Sequence, residues 1–322
     1  MNARAPKSAA AQGSAESLST GGRCRQSGRM RSLLLLASLL CASLLRVLPV
    51  DAAELKLATW NLAWLTLRAY GDPDLPRGLA VRGPGDLELL ARYAKRLDAD
   101  ILALQEVDGP EAAARVLDPG TYAFFFPAEQ DIQRTGFAVR RALRAVQNPD
   151  LEALDLRPKA RFSLRRGTDI TVEADGRRLR LLSVHLDAGC RDAPLGTPGR
   201  DCESLSRQAT ILGGWAAERQ REGIPFAILG DFNRAIAGGT DEFMRALAPA
   251  GPLLRATEGV SDPCWAGARG PRRFIDHVLL GGAAAEWLVP GSLRVLVYAE
   301  RDPAWRERLS DHCPLSLRLQ WP

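Results

Sequence analysis

The stretch SDHCPLSL, residues 310–317, opens a strand pattern with an acid and an imidazole. Behind Pro314, Leu315, Leu317 and Leu319 alternate as the buried face of a strand does. Asp311 carries charge and His312 exchanges a proton near neutral pH. Neither is an ordinary start for a strand that runs into a core. The same oddity recurs along the chain. TWNL places Asn61 at the end of an apolar run, and LALQEV places Glu106. LLSVHLD places His185, AILGDFN places Asp231 and Asn233, and RFIDHV places Asp276. In an extended chain, residues two apart share a face, which predicts Asp231 and Asn233 on one side.

Carboxylates, amides and imidazoles gathered at sheet ends suit a phosphoester held by a divalent cation. The phosphodiester is anionic, so an attacking oxygen needs that charge neutralised. Mg²⁺ takes carboxylate and amide oxygens and keeps several waters. Glu106, with Asn61 or Asp311, is the expected metal set; Mn²⁺ or Ca²⁺ suits the same oxygens. Asp231 and Asn233 are expected to orient the attacking water or the phosphoryl oxygen. An imidazole polarised by a carboxylate removes a proton from water, and His312 with Asp276 are the expected pair. His185 is placed to donate to the phosphoryl oxygen or the leaving group. Other residues read as structural. His277 points away from Asp276 in an extended chain, and Trp60, Trp64 and Phe232 read as packing.

Taken in order, TWNL, LQEV, SVHL, GDFN, IDHV and SDHCP resemble the endonuclease/exonuclease/phosphatase superfamily. Its relatives include DNase I-like nucleases, abasic-site endonucleases, sphingomyelinases and inositol-polyphosphate 5-phosphatases. The resemblance spans about residues 55–320. It implies a four-layered αββα sandwich and Mg²⁺-dependent phosphoester cleavage. It also implies Asn61 and Glu106 as metal-site residues and Asp231 and Asn233 as the nucleophile- and phosphate-orienting pair. Asp276 would support the base, Asp311 would position metal or histidine, His312 would be the general base and His185 the phosphate-contacting histidine. The chain departs from the pattern in two places, one of them the tyrosine that abasic-site endonucleases use, which is not identifiable and argues against a DNA-repair role. Gln133 and Arg134 stand where DNase I-like members tend to carry a Glu paired with the second histidine. Arg165 or Arg166 precedes a strand where such members carry a phosphate-binding Arg.

The element pattern agrees with two packed sheets and outer helices, an α+β class. Strands are predicted at 54–62, 99–107, 121–127, 135–141, 225–233, 272–281, 292–300 and 313–319. A hairpin is predicted over 169–186 around Asp175-Gly176. Helices are predicted over 85–99, with Asp86 as a cap, over 202–222 and over 241–248.

The formal charge of +5 belongs to one end. Seven of the 43 Lys/Arg and two of the 38 Asp/Glu lie in the first 53 residues, so the remainder balances at 36 of each. The body therefore has no global positive field to draw polyanions. Residues 1–52 read as an extension and secretion signal: Met30 and Arg31, an apolar run from Leu33 to Leu45, and a small-x-small pattern ending at Ala52. Met30 is a more ordinary start for such a signal than Met1. Arg46 and Pro49 shorten the run and argue against a membrane-spanning helix. Residues 53–322 are then one domain.

Export makes disulfides the expected state of Cys190, Cys202, Cys264 and Cys313. Three pairings exist. Cys190–Cys202, which closes a short polar loop, with Cys264–Cys313 is preferred. Three histidines and no C-x-x-C argue against zinc.

The expectation is a secreted or periplasmic, monomeric, Mg²⁺-dependent phosphodiesterase with no obligate protein partner. Nucleic acid is the first substrate. The alternatives are phospholipid, cleaved as sphingomyelinases do, and a catalytically inactive binding module of the same fold. Loops 66–85, 187–203 and 256–272 carry the choice.

Overall fold

The computed structural model describes residues 54–174, 176–267 and 272–321. The extension and secretion signal assigned to 1–52, Met30 included, lie outside the described residues, as does Asp175 of the hairpin turn. Two mixed six-stranded sheets form. The first contains β1 (Glu54–Leu65), β2 (Ile101–Val107), β3 (Tyr122–Phe125), β4 (Arg134–Arg140), β11 (Arg294–Val295) and β12 (Leu315–Gln320), in the order β11-β12-β1-β2-β4-β3. The second contains β5 (Arg144–Gln147), β6 (Thr168–Ala174), β7 (Arg177–His185), β8 (Phe226–Asp231), β9 (Leu253–Arg255) and β10 (Asp276–Gly281), in the order β5-β6-β7-β8-β10-β9. Helix α1 (Pro84–Leu97) covers the first sheet and α2 (Arg200–Glu222) the second.

Period-two alternation makes three apolar layers out of these strands. Leu55, Leu57, Ile101, Ala103, Leu315, Leu317 and Leu319 face Leu179, Leu181, Ala227, Leu229, Val278 and Leu280 between the sheets. The other parity faces the helices. Ala58, Trp60, Leu62, Leu102 and Leu104 meet Leu87, Leu90, Tyr93, Ala94 and Leu97 of α1. Leu182, Val184, Phe226 and Ile228 meet Leu205, Ala209, Leu212 and Trp215 of α2. The layers are therefore α, β, β, α. Pro84 at its start, the Asp86 carboxylate on the Gly83 N–H and Asp98 in the left-handed conformation define α1. Gly223 at φ 66° ends α2.

The predicted strand over 292–300 shrinks to Arg294–Val295. Leu296 N–H still donates to Pro314 O at 2.9 Å, but Pro314 has no N–H to return, so the ladder stops there. The predicted strand over 272–281 begins only at Asp276. The chain before it, 272–275, is held instead by a bridge from Arg272 to Asp262. Strands β5 and β9, four and three residues long, carry too few alternations to be legible in advance. Both disulfides form in the preferred pairing, with Cα atoms 4.9 Å apart for Cys190–Cys202 and 5.6 Å for Cys264–Cys313. They point to folding in an oxidising environment. Among the described residues no helix is long and apolar enough to cross a membrane.

Candidate active site

The inter-sheet stripes continue past their apolar part into polar residues of the same parity. On β1 the sequence Leu55, Leu57 runs on to Thr59 and Asn61; on β8, Ala227 and Leu229 run on to Asp231. On β7, Leu179 and Leu181 run on to Ser183 and His185. On β10 the order reverses, and Asp276 precedes Val278 and Leu280. Register then stacks them: His185 lies opposite Asp231, and Asp231 opposite Asp276. The loop before β12 delivers Asp311 and His312 to the same end. One constellation results, half from each sheet.

Its acidic floor is tied by an amide. Asn61 Nδ2 donates to Glu106 Oε1 at 3.0 Å and to Asp231 Oδ2 at 3.1 Å, while Asn61 Oδ1 accepts the Ala63 N–H. Asn61 thus offers nitrogen to the carboxylates and holds them, with its oxygen already engaged. Glu106 Oε2 accepts the Trp64 N–H at 3.1 Å and a bond from Gln133 Nε2. Ala63, Trp64, Glu106 and Asn233 all have φ between 45° and 59°. Such left-handed residues cost on the order of 1–3 kcal/mol each when not glycine or Asn, and they gather at functional sites. At Glu106 the kink coincides with a register shift between β2 and β4, which turns the carboxylate out of plain alternation. At Asn233 it breaks the shared face expected with Asp231. Instead Asn233 N–H donates to Asp231 Oδ1 at 2.8 Å, and Nδ2 donates to Leu186 O at 3.0 Å. Gly230 is required for the approach of β7: a Cβ there would lie 2.0 Å from Val184 O.

The imidazoles sit on this floor in different states. His312 Nδ1 is 2.7 Å from Asp276 Oδ2, and its Nε2 is 3.6 Å from Asp231 Oδ2 and 3.9 Å from Asp311 Oδ1. Burial works against a charged ring, but Asp276 and Asp231 outweigh it and hold the His312 pKa well above the ordinary value. His185 Nε2 is 3.7 Å from both Glu106 Oε1 and Asp231 Oδ2, and its buried Nδ1 has no partner among the described residues. Burial, then the Arg165 and His312 charges, push His185 well below the ordinary value, so its ring is neutral. Asp231 is raised by burial and by Asp276. Among the described residues, His277 bonds only to structure. It meets Thr257 Oγ1 at 2.6 Å and Arg234 O at 2.9 Å, and burial lowers it to about 4.

The two arginines part company. Arg165 is buried beside His185, with Nη2 on Leu186 O at 3.3 Å, the carbonyl that Asn233 also uses. Arg166 turns away to Glu152 and Glu129 and is not brought to the constellation. Asp311 is largely exposed at the rim.

Several supporting residues were not apparent in the sequence. Ser310 Oγ donates to Asn61 O at 2.7 Å and accepts the His312 N–H at 3.0 Å, joining the two walls. Tyr298 OH donates to His312 O at 2.8 Å and accepts the Trp60 indole N–H. Arg82 lies near Glu106 and Asp311, its pKa lowered to about 10 by burial. All come from loops or from positions with no distinguishing neighbours; the serine two residues before a site histidine is the one local signal.

The donor set suits a hard divalent cation. Glu106, Asp231, Asp276 and Asp311 concentrate carboxylate oxygen, and Asp276 Oδ1 is buried without a partner among the described residues. Asp231, Asp276 and His312 present ligand atoms within 4.8 Å of one another. His312 Nδ1 is already taken by Asp276, however, and oxygen is preferred over imidazole by Mg²⁺. Glu106, at the polar end of β2, is the better anchor.

The sequence profile of the Endonuclease/Exonuclease/phosphatase family matches residues 58–312. The chain belongs to this family. Members are hydrolases of phosphoester bonds that use divalent metals. Similar solved structures share the fold. D. rerio TDP2 complexed with single-strand DNA product superposes with a TM-score of 0.56 at 15% identity, covering 83% of this chain and 98% of that one. A Bacteroides thetaiotaomicron mannosyl-6-phosphatase gives 0.56 at 18%, covering 82% and 98%. The human nocturnin catalytic domain with bound sulfate gives 0.51 at 19%, covering 82% and 93%. No curated protein matches the chain by sequence.

Proposed function

We propose that this family member is an exported, Mg²⁺-dependent phosphodiesterase whose first substrate is nucleic acid. The observation that carries the reading is the His312–Asp276 pair at 2.7 Å, with the free Nε2 facing Asp231 across 3.6 Å. Glu106 would hold the cation, Asn61 would orient Glu106, and Asp311 would complete the rim. Bound there, the cation would neutralise phosphate charge and polarise the phosphoryl oxygen.

The chain's own groups do the rest. Asp231 and His312 Nε2 both face the place that the attacking water would take. His312 takes its proton as the water oxygen bonds to phosphorus and the ester P–O bond breaks; the leaving oxygen takes a proton from solvent. Asp276 accepts the Nδ1–H, which fixes the tautomer with Nε2 free and stabilises the imidazolium that forms. Neutral His185 and the buried Arg165, beside Asn233, donate to the non-bridging oxygens. Arg166 has no such part. The likeness to TDP2, whose structure holds a single-strand DNA product, supports nucleic acid.

Phospholipid is the second reading. It is favoured by the exposed Leu67, Tyr70 and Phe162, with Phe162 edge-on to Trp64 at 6.1 Å. The test is a panel of plasmid DNA, RNA, sphingomyelin and bis-p-nitrophenyl phosphate, with Mg²⁺ and with EDTA. Hydrolysis of nucleic acid that EDTA abolishes is expected. Glu106→Gln should lose most activity at limiting Mg²⁺ while its melting temperature holds. Equal activity at every Mg²⁺ concentration would remove Glu106 from the metal site, and activity confined to sphingomyelin would replace the nucleic-acid reading.

A further inference from the structure

A recess of about 160 Å³ has His312, Asp276 and Asp311 in its wall together with Arg191, Arg272, Arg273 and Arg306, while Asn61, Glu106, His185 and Asp231 do not line it. At ~30 Å³ per water it has room for about five waters, or a phosphate with part of its hydration. Four arginines from three segments of the chain meet here, on a body whose overall charge is balanced.

The mechanism uses none of them. Their compensation is partial. Asp192 pairs with Arg273 and lies 3.5 Å from Arg191, and Asp262 is 4.0 Å from Arg272. Arg306 has no carboxylate partner among the described residues; it donates to Trp265 O at 3.4 Å and stacks 5.5 Å from the Trp265 ring. The other acids on the wall are Asp276, already committed to His312, and Asp311 at the rim. The recess arginines are fixed through their neighbours and backbone while leaving N–H groups free, as planar donors to a phosphate do.

On the far side of Asp311 and Arg306 the surface changes character. A groove of about 290 Å³ there is lined by Ala63, Trp64, Leu79 and Ala80, with Glu307 the one further carboxylate in its wall beside Asp311. A cationic recess on one flank of the reacting phosphate and an aromatic, apolar groove on the other match a chain that alternates phosphates with ring systems.

We infer that the Arg191–Arg272–Arg273–Arg306 recess binds a second phosphate of the substrate, the phosphodiester next to the scissile one in a single-stranded nucleic acid. The inference rests on the phosphodiesterase reading above and specifies its substrate. A substrate with a single phosphate leaves the recess to water and forgoes its binding energy.

The test compares the dinucleotide TpT, the trinucleotide TpTpT, and the two TpTpT isomers in which one linkage is a neutral methylphosphonate. Each isomer keeps all three bases and one cleavable linkage but loses the neighbouring charge. For the wild type, kcat/KM on TpTpT should exceed that on TpT and on both isomers by at least about 10-fold, the factor that one charge-assisted hydrogen bond supplies. Arg272→Gln with Arg273→Gln, and separately Arg306→Gln, should bring TpTpT down to the TpT level. Bis-p-nitrophenyl phosphate turnover should stay within about twofold, because the altered arginines bond to Asp192, Asp262 and the Cys264, Ala235 and Trp265 carbonyls and not to His312 or Asp276. Arg272 and Arg273 side chains are 41% and 55% exposed, so melting temperatures should hold.

Binding gives a readout independent of turnover. With fluorescein-labelled dT8 in EDTA, the slope of log K against log salt should become shallower by about 0.7 for each phosphate that the double variant no longer neutralises. Methylphosphonate isomers cleaved as fast as TpTpT, or a double variant with unchanged preference and salt slope, would overturn the recess assignment. A wild type that cleaves none of these phosphodiesters would instead sink the functional reading, with the salt slopes still judging the recess.

Discussion

At His312 two opposing effects set the proton affinity of the proposed base. Burial disfavours the imidazolium, yet the Asp276 and Asp231 carboxylates hold its pKa above the ordinary histidine value. A base must be neutral to accept a proton, so a raised pKa places its working range at higher pH. Turnover should therefore rise with pH along a limb set by this ring. Asp276→Asn removes a carboxylate that favours the charged form, so that limb should move to lower pH. The same substitution also harms the base: an amide nitrogen can donate to Nδ1, which leaves the ring hydrogen on Nε2 where the free lone pair is needed. The plateau should fall on the order of 10²-fold, and His312→Ala should lose about 10²–10⁴ and the limb with it. The measurement is the pH profile of kcat/KM on bis-p-nitrophenyl phosphate. A limb that stays in place in Asp276→Asn, or persists in His312→Ala, would assign the titration to another group. His277, one residue from Asp276, has no part in this. Alternation turns it to the other face, where burial keeps it neutral between Thr257 and a carbonyl.

Elements show which features were legible before the fold was known. The inner strands were readable because Leu55 and Leu57, Leu179 and Leu181, and Ala227 and Leu229 mark a face, and Asn61, His185 and Asp231 continue it. Alternation then fails where the backbone turns left-handed. Residue type alone marks Glu106 and Asn233, but their orientation depends on φ of 58° and 49°. Gln133 reaches Glu106 from the start of β4, and Ser310 spans two walls; neither belongs to an apolar period that would expose it. The strand predicted over 292–300 is cut to two residues because Pro314 on its partner limits the ladder. The Cys264–Cys313 bond joins that partner strand to the segment in front of β10, which supplies Asp276. Trp265 indole N–H reinforces the join by donating to Ser310 O at 2.9 Å. A closure across 49 residues contributes about 4 kcal/mol in the chain-entropy account. Cys264→Ser with Cys313→Ser should thus lower the melting temperature first and turnover second, since Asp276 and His312 would still bond but over a wider range of positions. A variant with unchanged stability and full turnover would show that the Trp265 and Ser310 hydrogen bonds alone hold the two segments.

Across the whole molecule, the two sheets must keep register, because neither carries a complete site. The first supplies Asn61 and Glu106, and the second His185, Asp231 and Asp276. Apolar packing between them is non-directional and tolerates small slides. A directional tie lies just beneath the floor. Gln105, fully buried on β2 opposite Asn61, accepts from Thr59 Oγ1 at 3.1 Å and donates to Ser183 Oγ of the other sheet at 3.1 Å. Ser183 Oγ in turn donates back to Leu104 O at 3.0 Å. Such a buried polar link fixes one lateral position of sheet on sheet. Gln105→Ala opens a cavity and leaves the Thr59 hydroxyl without its acceptor, a cost of about 2–4 kcal/mol. Gln105→Met fills nearly the same volume and removes the directional bonds, the Thr59 acceptor included, without opening a cavity, so it separates the two effects. If the link sets register, Gln105→Met should lose at least about 10-fold in kcat with little change in KM and a smaller drop in melting temperature than Gln105→Ala. Single-turnover kinetics with thermal unfolding on both variants makes the comparison. A Gln105→Met enzyme with wild-type kcat would show that side-chain interlocking of the central layer, Phe137 and Leu317 against Leu181 and Leu229, is enough to align Glu106 with His312.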